Sequence, residues 1–289
     1  MNVTVVTDTT AALPPEVARR WGIRLVPLTL MMGDRAYRDG EIPAAELLAR
    51  TGQRITTSGP PPGDFLKAIG SDAHDSGPGP ARGAVIVTVA KALSSTFSAA
   101  QVAAGLSDIP VEVVDSTNAA GGQALVAIAA AQVAAAGGDL AQVAAAARTA
   151  AGEVRLVGCV ESLDRLARSG RVPGLAAAAV RRVGLSFMFE LRGGRIRPLR
   201  PAGSRSAAIE RMARLCAAEG GGDGSVADIV VLEAEPGEFT SALRDRLRRQ
   251  VPIGLDLNGS FGSAILVHAG PGVAGLAWRR RDPSGVFAR

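Results

Sequence analysis

Ala84-Val85-Ile86-Val87-Thr88-Val89 is a short, largely apolar run, and a few residues later Leu93-Ser94-Ser95-Thr96 opens the small-residue segment Phe97 to Ala104. An apolar run of that length, followed by hydroxyl residues at the start of a helical segment, reads as a buried strand feeding a helix. The pattern recurs on both sides. Val3 to Thr7 is a β-branched run ending at Asp8, with Pro14-Pro15-Glu16 as a helix start behind it, and Ile23 to Leu30 is a second apolar run. Val111 to Val114 is another, closed by Asp115-Ser116. Strands separated by helical stretches predict a parallel α/β sheet.

Further along, Ala119 to Ala151 is rich in alanine and broken by Gly137-Gly138-Asp139. Alanine is the best helix former, and Gly-Gly-Asp supplies a stop and an N-cap, so the segment parses as two helices. A second α/β unit begins near Arg155, with strand candidates at Leu156 to Val160, Ile229 to Leu232 and Ala264 to Val267. Ser71 to Gly83 and Glu219 to Ser225 read as loops from their Gly, Ser, Asp and Pro content. The 289 residues exceed what one core usually organises. The expectation is two α/β domains with parallel-type sheets, 1–155 and 156–289.

Composition removes several function classes. Hydrophobic residues at 47% and charged residues at 20% describe a globular chain. No apolar run is long enough to span a bilayer. The start, Met1 to Asp8, lacks the basic and apolar regions of a signal peptide, and a cytosolic setting is expected. Cys159 and Cys216 form no CxxC pair and read as small buried hydrophobes. The net charge of +5 comes from arginine, since Lys67 and Lys91 are the only lysines, and aromatics at 3% are too few for nucleic-acid stacking platforms.

The chemistry-bearing residues are few. There is no GxxxxGK[ST] loop, and His and Cys are too scattered for a zinc site. Gly270-Pro271-Gly272-Val273-Ala274-Gly275 matches GxGxxG, but only 14 residues follow it, too few for a dinucleotide-binding unit. His74 falls in a Gly/Pro-rich loop and reads as exposed. What remains is hydroxyls at strand ends: Thr56-Thr57-Ser58 before a Pro-rich turn, Ser94-Ser95-Thr96, and Ser116 after Asp115. Crevices at the carboxyl ends of parallel strands are the usual ligand sites, and helix N-termini there favour anions. Hydroxyls add donors for a carboxylate or phosphate. A serine hydrolase using Ser94 with His268, or a sensor of a small anion, would use the same residues; the chain lacks the G-x-S-x-G elbow.

Six segments in order give a resemblance. Val5-Val6-Thr7-Asp8-Thr9, Thr56-Thr57-Ser58-Gly59-Pro60, Leu93-Ser94-Ser95-Thr96-Phe97-Ser98-Ala99-Ala100, Val113-Val114-Asp115-Ser116, Leu163 to Arg171, and His268-Ala269-Gly270-Pro271-Gly272 resemble segments of the DegV family. That resemblance implies two α/β domains with a fatty acid at the interdomain cleft and no cofactor beyond that ligand. It implies a carrier rather than an enzyme, partnered with an ATP-dependent fatty acid kinase subunit that phosphorylates the acyl carboxylate; transient membrane contact is allowed. Carried over, the carboxylate ligands are Thr57, Ser94 and His268, with Thr56 and Ser95 as neighbours. Arg171 matches the arginine of a GGR stretch, and Arg205 keeps one charge of an otherwise eroded basic docking segment, Pro201 to Ser206. Arg192, Arg195, Arg197 and Arg200 are substitutes for the lost charge. Leu185, Phe187, Met188 and Phe189 are candidates to line an acyl tunnel. The sequence departs from the family at Ser95, Phe97 and Ser169, where glycine, tyrosine and glycine are usual.

Overall fold

The computed structural model describes residues 3–43, 46–47, 55–70, 82–171, 185–220, 225–234 and 237–281. His74, nearly all of the loop expected at Ser71 to Gly83, and the centre of the one at Glu219 to Ser225 lie outside these.

The opening β-branched run is strand β1 (Val3–Asp8), closed by a 3-10 turn (Thr9–Ala11) whose Thr10 N–H is capped by Asp8. Helix α1 (Pro15–Arg20) starts at the expected proline. The run Ile23 to Leu30 does not form one strand. Pro27 divides it into β2 (Ile23–Val26) and β3 (Thr29–Met32), because proline cannot donate to a ladder. The two halves join different sheets: β3 lies between β4 (Arg35–Arg38) and β5 (Ile55–Ser58) in a small antiparallel sheet. Helix α2 (Pro62–Gly70), β6 (Gly83–Thr88), α3 (Thr96–Gly105) and β7 (Val111–Asp115) follow. The order β2-β1-β6-β7 is parallel throughout, as the strand-helix alternation predicts.

The alanine-rich segment forms helices α4 (Ala120–Ala135) and α5 (Leu140–Glu153), and Asp139 with Gln142 makes a reciprocal capping box at the start of α5. Every residue of α4 from Ala120 to Ala131 is buried. The reason is its position: α4 touches β1 and β6 on one side and, on the other, strands β11 and β13 of a second sheet. A helix enclosed on all sides has no polar face, and small side chains let both sheets approach it.

From Arg155 the chain builds that second sheet from β8 (Arg155–Val160), then, after the short helix α6 (Asp164–Arg168), β9 (Phe187–Arg192), β10 (Arg195–Pro198), and, beyond helix α7 (Arg205–Gly220), β11 (Val226–Glu233). Helix α8 (Glu238–Gln250), β12 (Ile253–Ser260), helix α9 (Ser263–Ala269) and β13 (Ala274–Arg281) complete it. Its order is β10-β9-β8-β13-β11-β12, and β11 with β12 is its parallel pair; the other neighbours run antiparallel. The α/β class holds, while the parallel arrangement expected of both sheets is confined mainly to the first. Hairpin β9–β10 joins neighbouring strands by a tight turn, which makes that pair antiparallel, while β13, reached through α9, runs antiparallel between β8 and β11.

One strand expectation is corrected. Ala264 to Val267 lies inside α9, flanked by Gly262 as N-cap and Gly270 at φ +88° as C-cap. A four-residue apolar run is equally compatible with a buried helix turn, and the flanking glycines decide it. The strand that follows is β13, and the GxGxxG look-alike is the loop entering it.

The sheets change at Arg155, yet the largest cluster of buried apolar residues draws on both sides of that point, from Val3, Val85 and α4 to Leu156, Val230 and Ala277.

Candidate functional site

Three strand ends and one helix converge on a cavity of about 520 Å³, within the size range of small-ligand pockets. Each wall follows from a local feature of the sequence. Strand β5 alternates its side chains, so Thr57 turns inward while Thr56 is exposed on the opposite face. The next residue but one, Gly59, lies against the start of α3: a β-carbon there would come within 2.8 Å of Thr96 Oγ1 and 3.2 Å of Thr96 N. That close approach sets the Thr57 strand beside the Ser94 turn. Ser94 Oγ is 2.8 Å from Thr96 Oγ1 and accepts from Thr96 N at 3.3 Å, which ties the serine into the first turn of α3.

His268 sits in the last turn of α9 and reaches Thr57, its Nε2 lying 2.7 Å from Thr57 Oγ1. The position of α9 is fixed from the N-terminal half of the chain. Asp39 accepts from Ala264 N at 3.3 Å and from Thr9 Oγ1 at 2.7 Å. Burial raises the Asp39 carboxyl above the usual carboxylate range, partly offset by the Thr9 hydroxyl and by the backbone of Ala264 and Ser263. The His268 imidazole is pushed down to about 4 by burial and then by the nearby Arg171 guanidinium, so it is neutral near pH 7.

Of the residues singled out from the sequence, Thr57, Ser94, Ser95, His268 and Arg171 line the cavity. Thr56 does not, for the reason of strand alternation. Arg205 does not either: it pairs with Glu233 at 2.6 Å and Glu161 at 3.8 Å and lies 4.9 Å from the Phe239 ring centroid. Of the aromatic and aliphatic residues proposed for a tunnel, Phe189 is on the lining. Phe187 lies half-buried on the same strand face, Met188 is buried in the core on the other side of the sheet, and Leu185 precedes the strand. The remaining walls are largely apolar, with Leu93, Leu156, Leu191, Ile196, Phe261 and Ile265 among them. Lys91 and Arg171 are the cations of the described lining.

Sequence reading missed the floor. Asp8 is fully buried and accepts from Val89 N at 2.9 Å, Thr10 N at 3.1 Å and Gln123 Nε2 at 2.9 Å, and the Thr10 hydroxyl sits between Asp8 and Gln123. Gln123 Nε2 also donates to Thr7 Oγ1 at 2.9 Å, which donates onward to Val87 O at 2.7 Å. Desolvation raises the Asp8 carboxyl, opposed by Thr10, Val89 and Gln123. This network pins α4 to β1 beneath Thr10 and Val89 of the lining. A signal existed, a glutamine in the first turn of an alanine-rich helix. Among the described residues no cluster of His, Cys, Asp and Glu could hold a metal ion.

The site is thus an α/β cavity with mostly apolar walls, at which neutral hydroxyls and a neutral imidazole meet. A family model described as "Uncharacterised protein, DegV family" matches residues 2–281, and the chain belongs to that family. A DegV domain-containing protein of Streptomyces coelicolor is 37% identical over 279 residues, covering 95% of this chain and 97% of the relative. One from Mycobacterium tuberculosis is 33% identical over 285 residues, covering 96% of each. Among solved structures, a DegV family protein from Thermus thermophilus, described for its fatty acid binding, superposes with a TM-score of 0.86 at 28% identity, covering 97% of this chain and 100% of its own. A DegV lipid binding protein from Thermotoga maritima gives a TM-score of 0.86 at 23% identity, covering 98% of this chain and 99% of its own, and shows the shared fold.

Proposed function

We propose that this protein binds a long-chain fatty acid in the cavity between its two α/β units, 1–155 and 156–289, and presents the carboxylate to an ATP-dependent fatty acid kinase subunit. The observation that carries the reading is the meeting of Thr57, Ser94 and His268 at one apolar cavity, from positions far apart in the chain. Fatty acid binding by the Thermus relative of the same fold supports it.

The chemistry suits a carboxylate that must stay reactive. Burying that group without partners is prohibitive, so several donors are required. Two hydroxyls and an imidazole supply them without a permanent ion pair, which leaves the oxygens usable by an incoming phosphoryl donor. Arg171 and Lys91 add positive charge to the lining. The tail gains about 0.8 kcal/mol for each methylene it buries against the apolar walls. Phosphoryl transfer is the partner's work in this reading, and no cofactor besides the fatty acid is needed. The exposed arginines of hairpin β9–β10, Arg192, Arg195 and Arg197, with Arg200 beyond it, offer a docking face. Arg205, neutralised by Glu233 and Glu161, offers less. Both cysteines are buried and unpaired, which suits a cytoplasmic setting, and among the described residues no helix is long and apolar enough to cross a membrane.

A hydrolase using Ser94 and His268 has less support. Ser94 Oγ is engaged with Thr96, and His268 with Thr57, so the serine-to-histidine bond that activates a nucleophile is missing from the hydrogen bonds of both.

The test is denaturing mass spectrometry of protein purified from a bacterial host. A stoichiometric fatty acid is expected. Lipid-free protein that takes up none when offered it would refute the reading.

A further inference from the structure

The inner face of the six-stranded sheet presents two rows of residues to the cavity. Directly opposed residues in an antiparallel pair share a face. Gly275 opposes Gly158, and Gly158 opposes Phe189, so the three form one row across β13, β8 and β9. The neighbouring row holds Leu156, Leu191 and Ile196. All six line the cavity.

Two glycines side by side in a sheet interior forgo packing that β-branched residues would supply. The space over one of them is filled from the next strand. A β-carbon on Gly158 would lie 2.4 Å from Phe189 Cζ and 2.9 Å from each Cε atom. The ring is therefore tipped sideways, its far edge resting on the Gly158 backbone. Over Gly275 the nearest atoms to such a β-carbon are backbone and one leucine methyl: Val157 O at 3.1 Å, Gly158 Cα at 3.5 Å and Leu156 Cδ1 at 3.8 Å. The glycine row is thus a trough in the sheet, closed at one end by an aromatic ring. Thr57, Ser94 and His268 come from outside this sheet, from β5, the turn before α3 and α9.

We infer that the Phe189 ring lying over Gly158 is the stop that sets how far an acyl tail extends along the sheet, and so the chain length this protein selects. The inference rests on the fatty-acid reading above. An aromatic laid over a cross-strand glycine also repairs a sheet. That role alone would change stability and leave acyl preference untouched.

The experiment strips bound lipid from the protein and reloads it from an equimolar series of straight-chain saturated acids, dodecanoate to icosanoate. Denaturing mass spectrometry then reads the bound distribution. Phe189→Ala should shift it toward longer acids, with about a fourfold gain in relative affinity for each extra methylene the vacated space buries. Gly158→Ala, which expels the ring edge into the cavity, should shift it toward shorter ones. Phe189→Leu, a milder change, keeps the question answerable if the alanine variant fails to fold. An unchanged distribution in folded, normally loaded Phe189 variants overturns the inference and leaves the carrier reading intact. Folded Phe189 variants that bind no acid also overturn it, because the ring would then be needed for the site as a whole. A wild-type protein that loads no acid overturns the carrier reading itself.

Discussion

Thr57 Oγ1 and His268 Nε2 stand 2.7 Å apart although 211 residues separate them in the chain. Nothing local brings them together; the contact exists because β5 and α9 pack against each other. If both hold one carboxylate, removing either donor loses a hydrogen bond to a charged group. Thr57→Ala, Ser94→Ala and His268→Ala should each weaken fatty-acid binding by about tenfold to a hundredfold. Titration of lipid-free protein with a fluorescent fatty acid measures this, and unchanged affinity in all three would remove the head-group assignment.

His268 also makes stability depend on pH. Its imidazole, ordinarily near 6.5, is held at about 4 in the fold. Between those values the unfolded chain binds a proton that the folded chain refuses, so stability falls as pH drops from 6.5 to 4. Asp8 and Asp39 are shifted upward and act in the opposite direction. Comparing urea unfolding of wild type and His268→Gln across that window isolates the histidine. The variant should show the smaller loss.

Arg171 contributes to that depression by repulsion. Arg171→Gln should raise the His268 pKa, and a bound carboxylate should raise it further in either protein. Proton NMR titration of the His268 ring, with and without fatty acid, reads both effects. A pKa indifferent to the ligand would place the carboxylate elsewhere.

Gly59 lines the cavity with no side chain of its own, and a methyl there would press on Thr96 at 2.8 Å. Gly59→Ala should push β5 from the start of α3 and separate Thr57 from Ser94. We expect affinity reduced by an amount comparable to losing one donor, with the thermal midpoint little changed. Equal affinity for wild type and Gly59→Ala would show that the spacing of the two hydroxyls is not critical.

Gln123 is the glutamine that ties α4 to Asp8 and Thr7, both at 2.9 Å. Gln123→Leu removes hydrogen bonds from buried Asp8, Thr7 and Thr10 and should destabilise the fold by about 1–3 kcal/mol in chemical denaturation. A neutral result would mean that Asp8 is satisfied by Thr10 and Val89 alone.

Much of the N-terminal architecture was legible because period and punctuation agree there: β1, β6 and β7 are apolar runs closed by polar residues, and Asp139 announces α5. The second sheet was less so. Antiparallel return strands such as β13 follow loops whose glycines mimic another motif, and Ala264 to Val267 is too short for its period to separate helix from strand. At the site, hydroxyl clusters marked Thr57 and Ser94, but which of two adjacent threonines faces inward depends on strand register, which composition does not encode. Asp39 escaped notice altogether, since a single aspartate after a hairpin gives no sign that it will cap a helix 225 positions away.

The enclosed helix α4 has a mechanical consequence. Because its alanines are the shared filling between both sheets, neither half of the molecule can lose its layer without exposing the other's interior. Heating should therefore melt the two halves in one cooperative step, and cavity opening must come from peripheral pieces such as α9 or the β9–β10 hairpin rather than from the halves swinging apart.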